Sequence, residues 1–179
     1  MHNDIEKVLI SHKEIQNICK RLGKELSKDY HGKTPLLIGV LTGCIPFLAE
    51  LIKNTDIHLA VDFIRASSYH GQTKSSETLT IKNDLSTSIE GKDVIIVEDI
   101  VDTGLTLTAL KKLFLSRKAN SVKVVTLLDK PAGRKVEFTP EYIGVTIPKE
   151  FVVGFGLDYN ELYRNLPYIG ILKPSVYEN

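Results

Sequence analysis

The sequence predicts an α/β fold with a parallel central sheet flanked by helices. Two segments support this prediction. Residues 35–52 follow the order strand, glycine turn, helix, and residues 91–128 follow the order strand, loop, helix, strand. Their apolar runs have the length of strands buried on both faces, which is typical of parallel sheets. A chain of 179 residues is ordinary for one domain, so we expect residues 1–179 to form a single domain.

The first helix is marked by Ser11 and Glu14, whose spacing fits a capping box. Apolar side chains then recur at helical spacing from Ile15 to Leu26, which predicts one face packed on the core. Gly32 marks the expected end of this helix.

The segment that follows predicts three strands, a helix and a loop. Residues 35–41 form a buried apolar run, and residues 47–52 repeat at helical spacing. Residues 56–67 predict the next strand. Residues 68–77 are polar and lack periodicity, so we expect a mobile loop of the length that functional lids have. Residues 78–82 alternate as a short return strand.

The central unit begins with a strand from Asp93 to Val97, continues through an acidic loop, and forms a helix from Leu107 to Phe114. A further strand ends at Leu128. A strand, helix, strand unit of this kind is expected to be parallel and right-handed. The C-terminal third carries short apolar runs that predict irregular strands, at residues 142–147, 151–153 and 168–172.

The composition disfavours several classes of protein. Lys and Arg number 23, Asp and Glu number 22, and the net charge of +1 argues against nucleic-acid binding. We expect no signal peptide, and no apolar run reaches the roughly 20 residues of a membrane span. Cys19 and Cys44 lack C-x-x-C spacing and are expected to be free thiols. These features predict a cytoplasmic protein without a membrane or nucleic-acid partner.

The chemistry is expected where the central strand meets its helix. Glu98, Asp99 and Asp102 lie within nine residues that also contain Gly104 and two threonines. Ligands of open α/β sheets bind beyond the carboxyl ends of strands, where a helix N-terminus attracts anions. Because carboxylates repel a bare phosphate, the ligand must also offer hydroxyl groups or a bridging Mg²⁺. A phosphorylated sugar meets both requirements.

Simpler interpretations of this segment exist. Asp102 and Thr103 would suit a plain helix cap, with Glu98 and Asp99 on a solvated edge. The buried strand and the acidic pair before the turn favour a binding site instead. A P-loop requires G-x-x-x-x-G-K-[ST], which is absent. The D-T-G string of aspartic proteases belongs to all-β proteins, whereas a helix is predicted here.

The stretch from Val94 to Thr106 resembles the signature of type I phosphoribosyltransferases, which bind 5-phosphoribosyl 1-pyrophosphate (PRPP). Further matches point to the hypoxanthine (guanine) phosphoribosyltransferase subfamily: Gly39–Gly43, the dipeptide Ser68-Tyr69, Lys130, and Phe151–Glu161 followed by Arg164. The resemblance covers nearly the whole chain. It implies a parallel sheet with a small hood formed from the chain ends and a flexible loop.

The resemblance also implies a reaction. A 6-oxopurine, hypoxanthine or guanine, and PRPP would give IMP or GMP and pyrophosphate, with Mg²⁺ as cofactor. The bond from C1′ to pyrophosphate breaks towards a ribosyl cation, and the purine N9 attacks. The leaving group must be neutralised, a base must take the purine proton, and water must be excluded. Small α/β enzymes often associate, so a homodimer or homotetramer is expected.

The family pattern implies a role for each matching residue. Asp102 is the candidate general base, while Ser68 and Tyr69 close over the reaction. The implied binding residues are Leu41, Thr42 and Gly43 at pyrophosphate, Glu98 and Asp99 at the ribose, Thr103, Gly104, Leu105 and Thr106 at the 5′-phosphate, Lys130, Phe151 and Val152 at the purine, and Arg164 at pyrophosphate. The implied metal ligands are Glu98, Asp99 and Asp158.

Some of these residues have structural interpretations as well. Phe151 lies in an apolar run and would suit the core. Lys130 would suit the surface, Asp158 a turn cap, and Arg164 an ion pair with Glu161.

The chain departs from the family pattern at two positions. Thr42 stands where many members have lysine in the pyrophosphate loop, so a cationic contact is missing or comes from elsewhere. Leu105 stands where some relatives have lysine in the phosphate loop. The family's pyrophosphate loop contains a non-proline cis peptide, which is expected at Leu41–Thr42.

Two other functions stay open. A nucleotide-sensing regulator with the PRPP fold, without turnover, would carry a basic face or an added DNA-binding segment, and the sequence has neither. The second open function is a phosphoribosyltransferase for xanthine or a pyrimidine. Lys130 and the motif from Phe151 to Glu161 favour a 6-oxopurine instead. The choice between hypoxanthine and guanine also stays open.

Overall fold

The computed structural model describes residues 1–70 and 77–178, which form nine strands and four α-helices. The strands are β1 (Ile5–Ile10), β2 (Leu36–Val40), β3 (Ala60–His70), β4 (Glu77–Asn83), β5 (Asp93–Val101), β6 (Ser121–Asp129), β7 (Tyr142–Thr146), β8 (Val152–Val153) and β9 (Ile169–Leu172). The helices are α1 (His12–Asp29), α2 (Ile45–Lys53), α3 (Leu105–Ser116) and the short α4 (Pro174–Tyr177).

The larger sheet has six strands in the order β4-β3-β2-β5-β6-β7. Every neighbouring pair from β3 to β7 is parallel, and only β4 runs antiparallel, against β3. The predicted parallel α/β sheet is therefore confirmed. Its chain order places β2 and β5 side by side, so the loops after these two strands meet at the carboxyl edge of the sheet.

Helices cover both faces of this sheet. Successive side chains of each strand point to opposite faces, so each strand contributes to two hydrophobic cores. Leu37 and Ile95 pack in a core with α1 and α2, whereas Ile38 and Ile96 pack in a second core with α3. The predicted capping box is present at Ser11, whose hydroxyl accepts from the backbone amide of Glu14. Both faces of the sheet are thus covered by helices, so a ligand can reach the sheet at the ends of its strands.

A smaller antiparallel sheet, β1-β9-β8, joins the two ends of the chain. Strand β1 pairs with β9 from Ile5↔Leu172 to Ile10↔Ile169. This sheet corresponds to the part of the predicted hood that is formed from the chain ends. Strand β1 itself was not predicted.

Two loop boundaries were predicted wrongly. Residues 68–70 extend β3 and pair with β4, Ser68 opposite Leu79, so the predicted loop at 68–77 starts too early. Its tip, residues 71–76, lies outside the described residues. Strand β5 continues to Val101 because its register with β6 is maintained, Glu98 opposite Thr126, so Glu98 and Asp99 lie in a strand and not in a loop.

No helix among the described residues combines the length and the apolar composition that crossing a membrane requires.

Candidate active site

An open cavity of about 290 Å³ lies at the carboxyl ends of β2 and β5. Its lining includes many of the predicted residues: Leu41, Thr42, Gly43, Glu98, Asp99, Asp102, Thr103, Gly104 and Thr106. The predicted pyrophosphate loop and the PRPP signature are therefore brought together, although they are far apart in sequence. Leu105 is buried at the start of α3 and is not among the described lining residues.

The turns at the two strand ends aim backbone groups into this cavity. After β2 the peptide bond between Leu41 and Thr42 is cis, at the predicted position. After β5, Gly104 adopts a φ of 81° and caps the N-terminus of α3, a left-handed conformation that favours glycine. The first turn of α3 thus faces the cavity with the positive end of its dipole.

Glu98 and Asp99 form an acidic pair at the end of β5, in which Asp99 is buried and Glu98 is half-buried. Burial raises the pKa of the Glu98 carboxyl well above its ordinary value, and the charge of Asp99 raises it further. Burial also raises the pKa of Asp99. Its hydrogen bonds, such as the one from the Ile100 amide at 2.7 Å, lower the pKa but do not outweigh burial. Among the described residues no lysine or arginine lies within 4.0 Å of either carboxylate. The charge of the more distant Arg164 lowers the pKa of Asp99, but within the described structure no cation contacts the pair directly.

Two glycines fix where Asp99 and the pyrophosphate loop lie. A Cβ on Gly43 would fall 1.7 Å from Asp99 Oδ2, so the carboxylate lies directly on the loop backbone. A Cβ on Gly156, from the hood, would fall 1.9 Å from the carbonyl oxygen of Gly43. The hood, the pyrophosphate loop and the acid on β5 thus contact one another through positions that have no room for a side chain. The sequence analysis gave Gly156 no role.

The candidate general base, Asp102, forms an ion pair in the structure. Its Oδ2 lies 2.8 Å from the Lys130 ammonium, which is largely buried at the end of β6, while the carboxylate stays half-exposed towards the cavity. A Cβ on Gly133 would fall 1.6 Å from Asp102 Oδ1, so the turn after Lys130 packs against the carboxylate. The structure thus brings two predicted residues, 28 positions apart in sequence, into one ion pair.

Arg134 was missed by the sequence analysis and holds this arrangement together. Its guanidinium Nη1 donates to the carbonyls of Val101 at 2.6 Å and Asp102 at 2.7 Å, and Nη2 pairs with the buried Asp129 carboxylate. The arginine therefore ties the end of β5 to the end of β6. Nothing in a sequence distinguishes such an arginine from a surface cation, because its partners are mostly backbone oxygens.

Arg164 and Asp158 lie in the hood beside the pyrophosphate loop. Arg164 Nη2 is 2.9 Å from Asp158 Oδ1 and 3.1 Å from Glu161 Oε2, and Nη1 donates to the Gly156 carbonyl at 2.7 Å. Its Nε is buried with no hydrogen-bond partner in the described structure. The alternative pairing of Arg164 with Glu161 is thus present, together with an unused donor.

Phe151 and Val152 lie in the hood and not among the described lining residues of the cavity. The Phe151 ring stacks on Tyr177, with centroids 4.8 Å apart, and meets Tyr159 edge-on. Val152 is buried in β8. For Ser68 and Tyr69 the structure describes the backbone at the end of β3, and their roles stay predictions.

Comparisons with known proteins agree with this geometry. Residues 9–160 match the family model described as phosphoribosyl transferase domain. Hypoxanthine-guanine phosphoribosyltransferase from Streptococcus pneumoniae is 57% identical over 179 residues, 100% of this chain and 99% of that protein. A crystal structure of a hypoxanthine phosphoribosyltransferase from Staphylococcus aureus matches with a TM-score of 0.96 at 56% identity, over 100% of this chain and 97% of that one.

A third comparison is the Bacillus anthracis hypoxanthine-guanine phosphoribosyltransferase with HEPES in its active site. It matches with a TM-score of 0.89 at 44% identity, over 94% of this chain and 99% of that one. The family model and relatives of this identity, matched along nearly their whole length, confirm the resemblance stated from the motifs. The chain belongs to the phosphoribosyltransferase family, among the hypoxanthine-guanine phosphoribosyltransferases.

Proposed function

We propose that this purine salvage enzyme transfers the 5-phosphoribosyl group of PRPP to N9 of hypoxanthine or guanine in the 290 Å³ cavity. Pyrophosphate and IMP or GMP are the products. Residues 1–179 would act as one phosphoribosyltransferase domain in this reaction.

The observation that carries the proposal is the pairing of Asp102 with Lys130 at 2.8 Å. A 6-oxopurine presents O6 and N7 side by side on one edge. Lys130 has three donors, so it can give one to O6 while keeping Asp102. Asp102 beside it can take the proton from N7 as N9 attacks C1′. In adenine the exocyclic group at this position is an amino group, which is a donor. The Lys130 ammonium would then face a second donor and would have no acceptor on the base.

The sugar phosphate would lie along the end of β5. The segment Thr103–Thr106 at the start of α3 offers hydroxyl and amide donors for the 5′-phosphate. Glu98 and Asp99 can accept hydrogen bonds from the ribose hydroxyls, and their negative charge favours the positive charge that develops on the ribosyl group. The carboxylates therefore serve binding and the transition state in one place.

The leaving pyrophosphate would lie over the loop from Leu41 to Gly43. The backbone amides of Thr42 and Gly43 and the guanidinium of Arg164, which lines the adjoining cavity, are donors that an anion there can use. Phe151 and Val152 would meet the purine from the hood, and Ser68 and Tyr69 would close over the reaction and exclude water.

We propose Mg²⁺ as the cofactor, held by Glu98 and Asp99. The fit rests on the chemistry of this pair, because two neighbouring carboxylates with raised pKa values, and with no described lysine or arginine within 4.0 Å, offer the hard oxygen ligands that Mg²⁺ prefers. The described residues contain no group of three His, Cys, Asp or Glu side chains suited to a metal. Substrate oxygens and water would complete the shell, with Asp158 acting through water. When bound, Mg²⁺ supplies charge neutralisation for the leaving group.

The remaining expectations concern the state of the protein in the cell. We propose that it is cytoplasmic, which the two buried free cysteines, Cys19 and Cys44, support. Assembly into a homodimer or homotetramer stays a prediction, and neither a nucleic acid nor a membrane is a proposed partner.

A base-panel assay tests the proposed function. Nucleotide formation is followed with PRPP and Mg²⁺ and one base at a time: hypoxanthine, guanine, xanthine, adenine or uracil. We expect turnover with hypoxanthine, guanine or both, and none with adenine or uracil. PRPP binding without turnover of any base would overturn the proposal in favour of a nucleotide-sensing regulator.

A further inference from the structure

A second cavity, of about 320 Å³, adjoins the main one. The two share Leu41, Thr42 and Ala66 in their linings. The rest of the second lining is mostly cationic: Arg65, Lys82 and Arg164, with Glu161 and Ser67. This cavity therefore carries positive charge directly beside the loop on which pyrophosphate is proposed to lie.

Arg65 reaches this loop from β3. Its Nη2 donates to the Thr42 hydroxyl at 2.6 Å, which holds the guanidinium beside the backbone of residues 41–43. A guanidinium has five N–H donors, so one hydrogen bond to a hydroxyl leaves most of them for another acceptor. The sequence analysis named a missing cation at position 42, and the structure places a different cation in contact with that residue.

Lys82 faces the same cavity from β4 because the strand pair is irregular there. Arg65 pairs with Asn83 and Ala66 pairs with Ile81, so Lys82 is the extra residue of a β-bulge. Such bulges re-aim a side chain and are common beside active sites. Without the bulge, alternation would point Lys82 to the face opposite Arg65.

The two cations are not neutralised within the described protein. Neither Arg65 nor Lys82 has a carboxylate within 4.0 Å among the described residues, and both are exposed. Glu161, the acid of the cavity, is already paired with Arg164. Cations gathered without acids repel one another, and a polyanion relieves that repulsion.

We propose that Arg65 and Lys82 form a cationic subsite for the pyrophosphate group of PRPP, in which Arg65 is held in place by Thr42. The proposal rests on the proposed function and adds two binding residues to it. Pyrophosphate carries more negative charge than the 5′-phosphate, and the acidic pair on β5 adds to the charge that must be balanced. The Arg65 guanidinium and the Lys82 ammonium, in the cavity beside Thr42, provide the balancing positive charge.

The test uses Arg65→Gln, Lys82→Gln and Arg65→Lys, with Lys24→Gln as the matched loss of one exposed charge on α1. Steady-state assays give KM for PRPP and for hypoxanthine. Calorimetric titration of inorganic pyrophosphate with Mg²⁺, and of IMP, gives binding constants without turnover. IMP carries the 5′-phosphate but no pyrophosphate, so it reports the rest of the site.

For Arg65→Gln we expect KM for PRPP and the dissociation constant of pyrophosphate to rise about tenfold, as for the loss of a charge-assisted hydrogen bond. Lys82→Gln should raise both constants by a smaller factor, and Arg65→Lys should keep most of the affinity. The constants for IMP and hypoxanthine, and every constant of Lys24→Gln, should stay within about twofold.

Two results would overturn the subsite. One is pyrophosphate affinity within about twofold of the wild type in both Arg65→Gln and Lys82→Gln. The other is an equal loss of IMP affinity in these variants, which would indicate general damage to the site. A wild-type chain that binds pyrophosphate but turns over no base would contradict the proposed function alone, and the titration would still test the subsite.

Discussion

The Asp102 carboxylate and the Lys130 ammonium lie 2.8 Å apart, so each neutralises the charge of the other. Lys130 is the more buried partner, whereas Asp102 stays half-exposed towards the cavity. A base that is paired in advance is held in one orientation and loses less side-chain entropy when substrate binds. In the proposed reaction, this pairing would hold both side chains ready for the purine.

The first prediction concerns Lys130. In Lys130→Gln the donor to O6 loses its charge, so we expect KM for hypoxanthine to rise about tenfold or more, as for a lost hydrogen bond to a charged group. The dissociation constant of PRPP, measured by calorimetry, should stay within about twofold. A wild-type KM for hypoxanthine in this variant would refute the contact.

The second prediction concerns Gly133. In Gly133→Ala the new Cβ would fall 1.6 Å from Asp102 Oδ1 and must displace the carboxylate. A misplacement of about 1 Å costs on the order of 10²-fold in rate, so kcat should fall by that factor while PRPP binding is kept.

Gly32→Ala is the matched control for this prediction. Gly32 has a φ of 74°, and a Cβ there meets no described atom within 4 Å. The alanine should cost about 1 kcal/mol of stability, because the left-handed conformation disfavours it, with no change in kcat. Equal kcat values for the two alanine variants would contradict the role of Gly133.

The third prediction separates stability from function at Glu98. Burial raises the pKa of Glu98 in the folded chain, so the folded state holds the proton more tightly than the unfolded state. The free energy of unfolding therefore falls as pH rises from the ordinary carboxyl value through the raised one. Glu98→Gln removes this penalty and should raise Tm by about 2–4 °C at neutral pH.

Glu6→Gln, the same change at an exposed position of β1, should leave Tm unaltered. Because Glu98 is proposed at the ribose and the metal, its glutamine variant should also bind PRPP more weakly. Thermal melts and PRPP titrations of both variants check the pair of effects. A lower Tm in Glu98→Gln would show that the buried charge is compensated after all.

The fourth prediction concerns acid stability through Asp62. Burial alone would raise the pKa of this carboxyl, but hydrogen bonds from the Phe63, Ser86 and Thr87 amides and from the two hydroxyls outweigh burial and lower the pKa. Stability from Asp62 is then present above the ordinary value of 3.8 and is lost as pH falls through the lowered folded value.

Asp62→Asn should therefore reduce the free energy of unfolding by about 1–3 kcal/mol at neutral pH, as for a buried hydrogen-bonded carboxylate that loses its charge. Urea unfolding at several pH values measures this difference, which should shrink in acid. A difference that is independent of pH would contradict the assigned cause.

Periodicity and motif spacing predicted the strands and helices that build the parallel sheet, because these are set locally by alternation and caps. The end of β5 was predicted wrongly, since Glu98 and Asp99 look like loop residues, and only pairing with β6 shows that they continue a strand. Strand β1 was missed for a related reason: its partner, β9, comes from the other end of the chain.

The sequence predicted which residues belong to the site, but it did not predict the contacts between them. Asp102 and Lys130 were each named, yet their ion pair depends on the neighbouring ends of β5 and β6. Arg134 and Arg65 carry no sequence signal, because their partners are mostly backbone oxygens, with one carboxylate for Arg134 and one hydroxyl for Arg65. Contacts of this kind are set by the tertiary fold, and residue spacing does not encode them.

In the proposed reaction, Asp102 is the proton acceptor of the transfer. Asp102→Asn keeps the size of the side chain but removes its basicity, and Asp56→Asn makes the same change at an exposed site remote from the cavity. Turnover of hypoxanthine at saturating PRPP, with PRPP affinity from calorimetry, is the direct measurement. We expect kcat to fall by about 10²–10⁴-fold in Asp102→Asn with PRPP affinity retained, and Asp56→Asn to keep full turnover. Wild-type kcat in Asp102→Asn would contradict this role of Asp102.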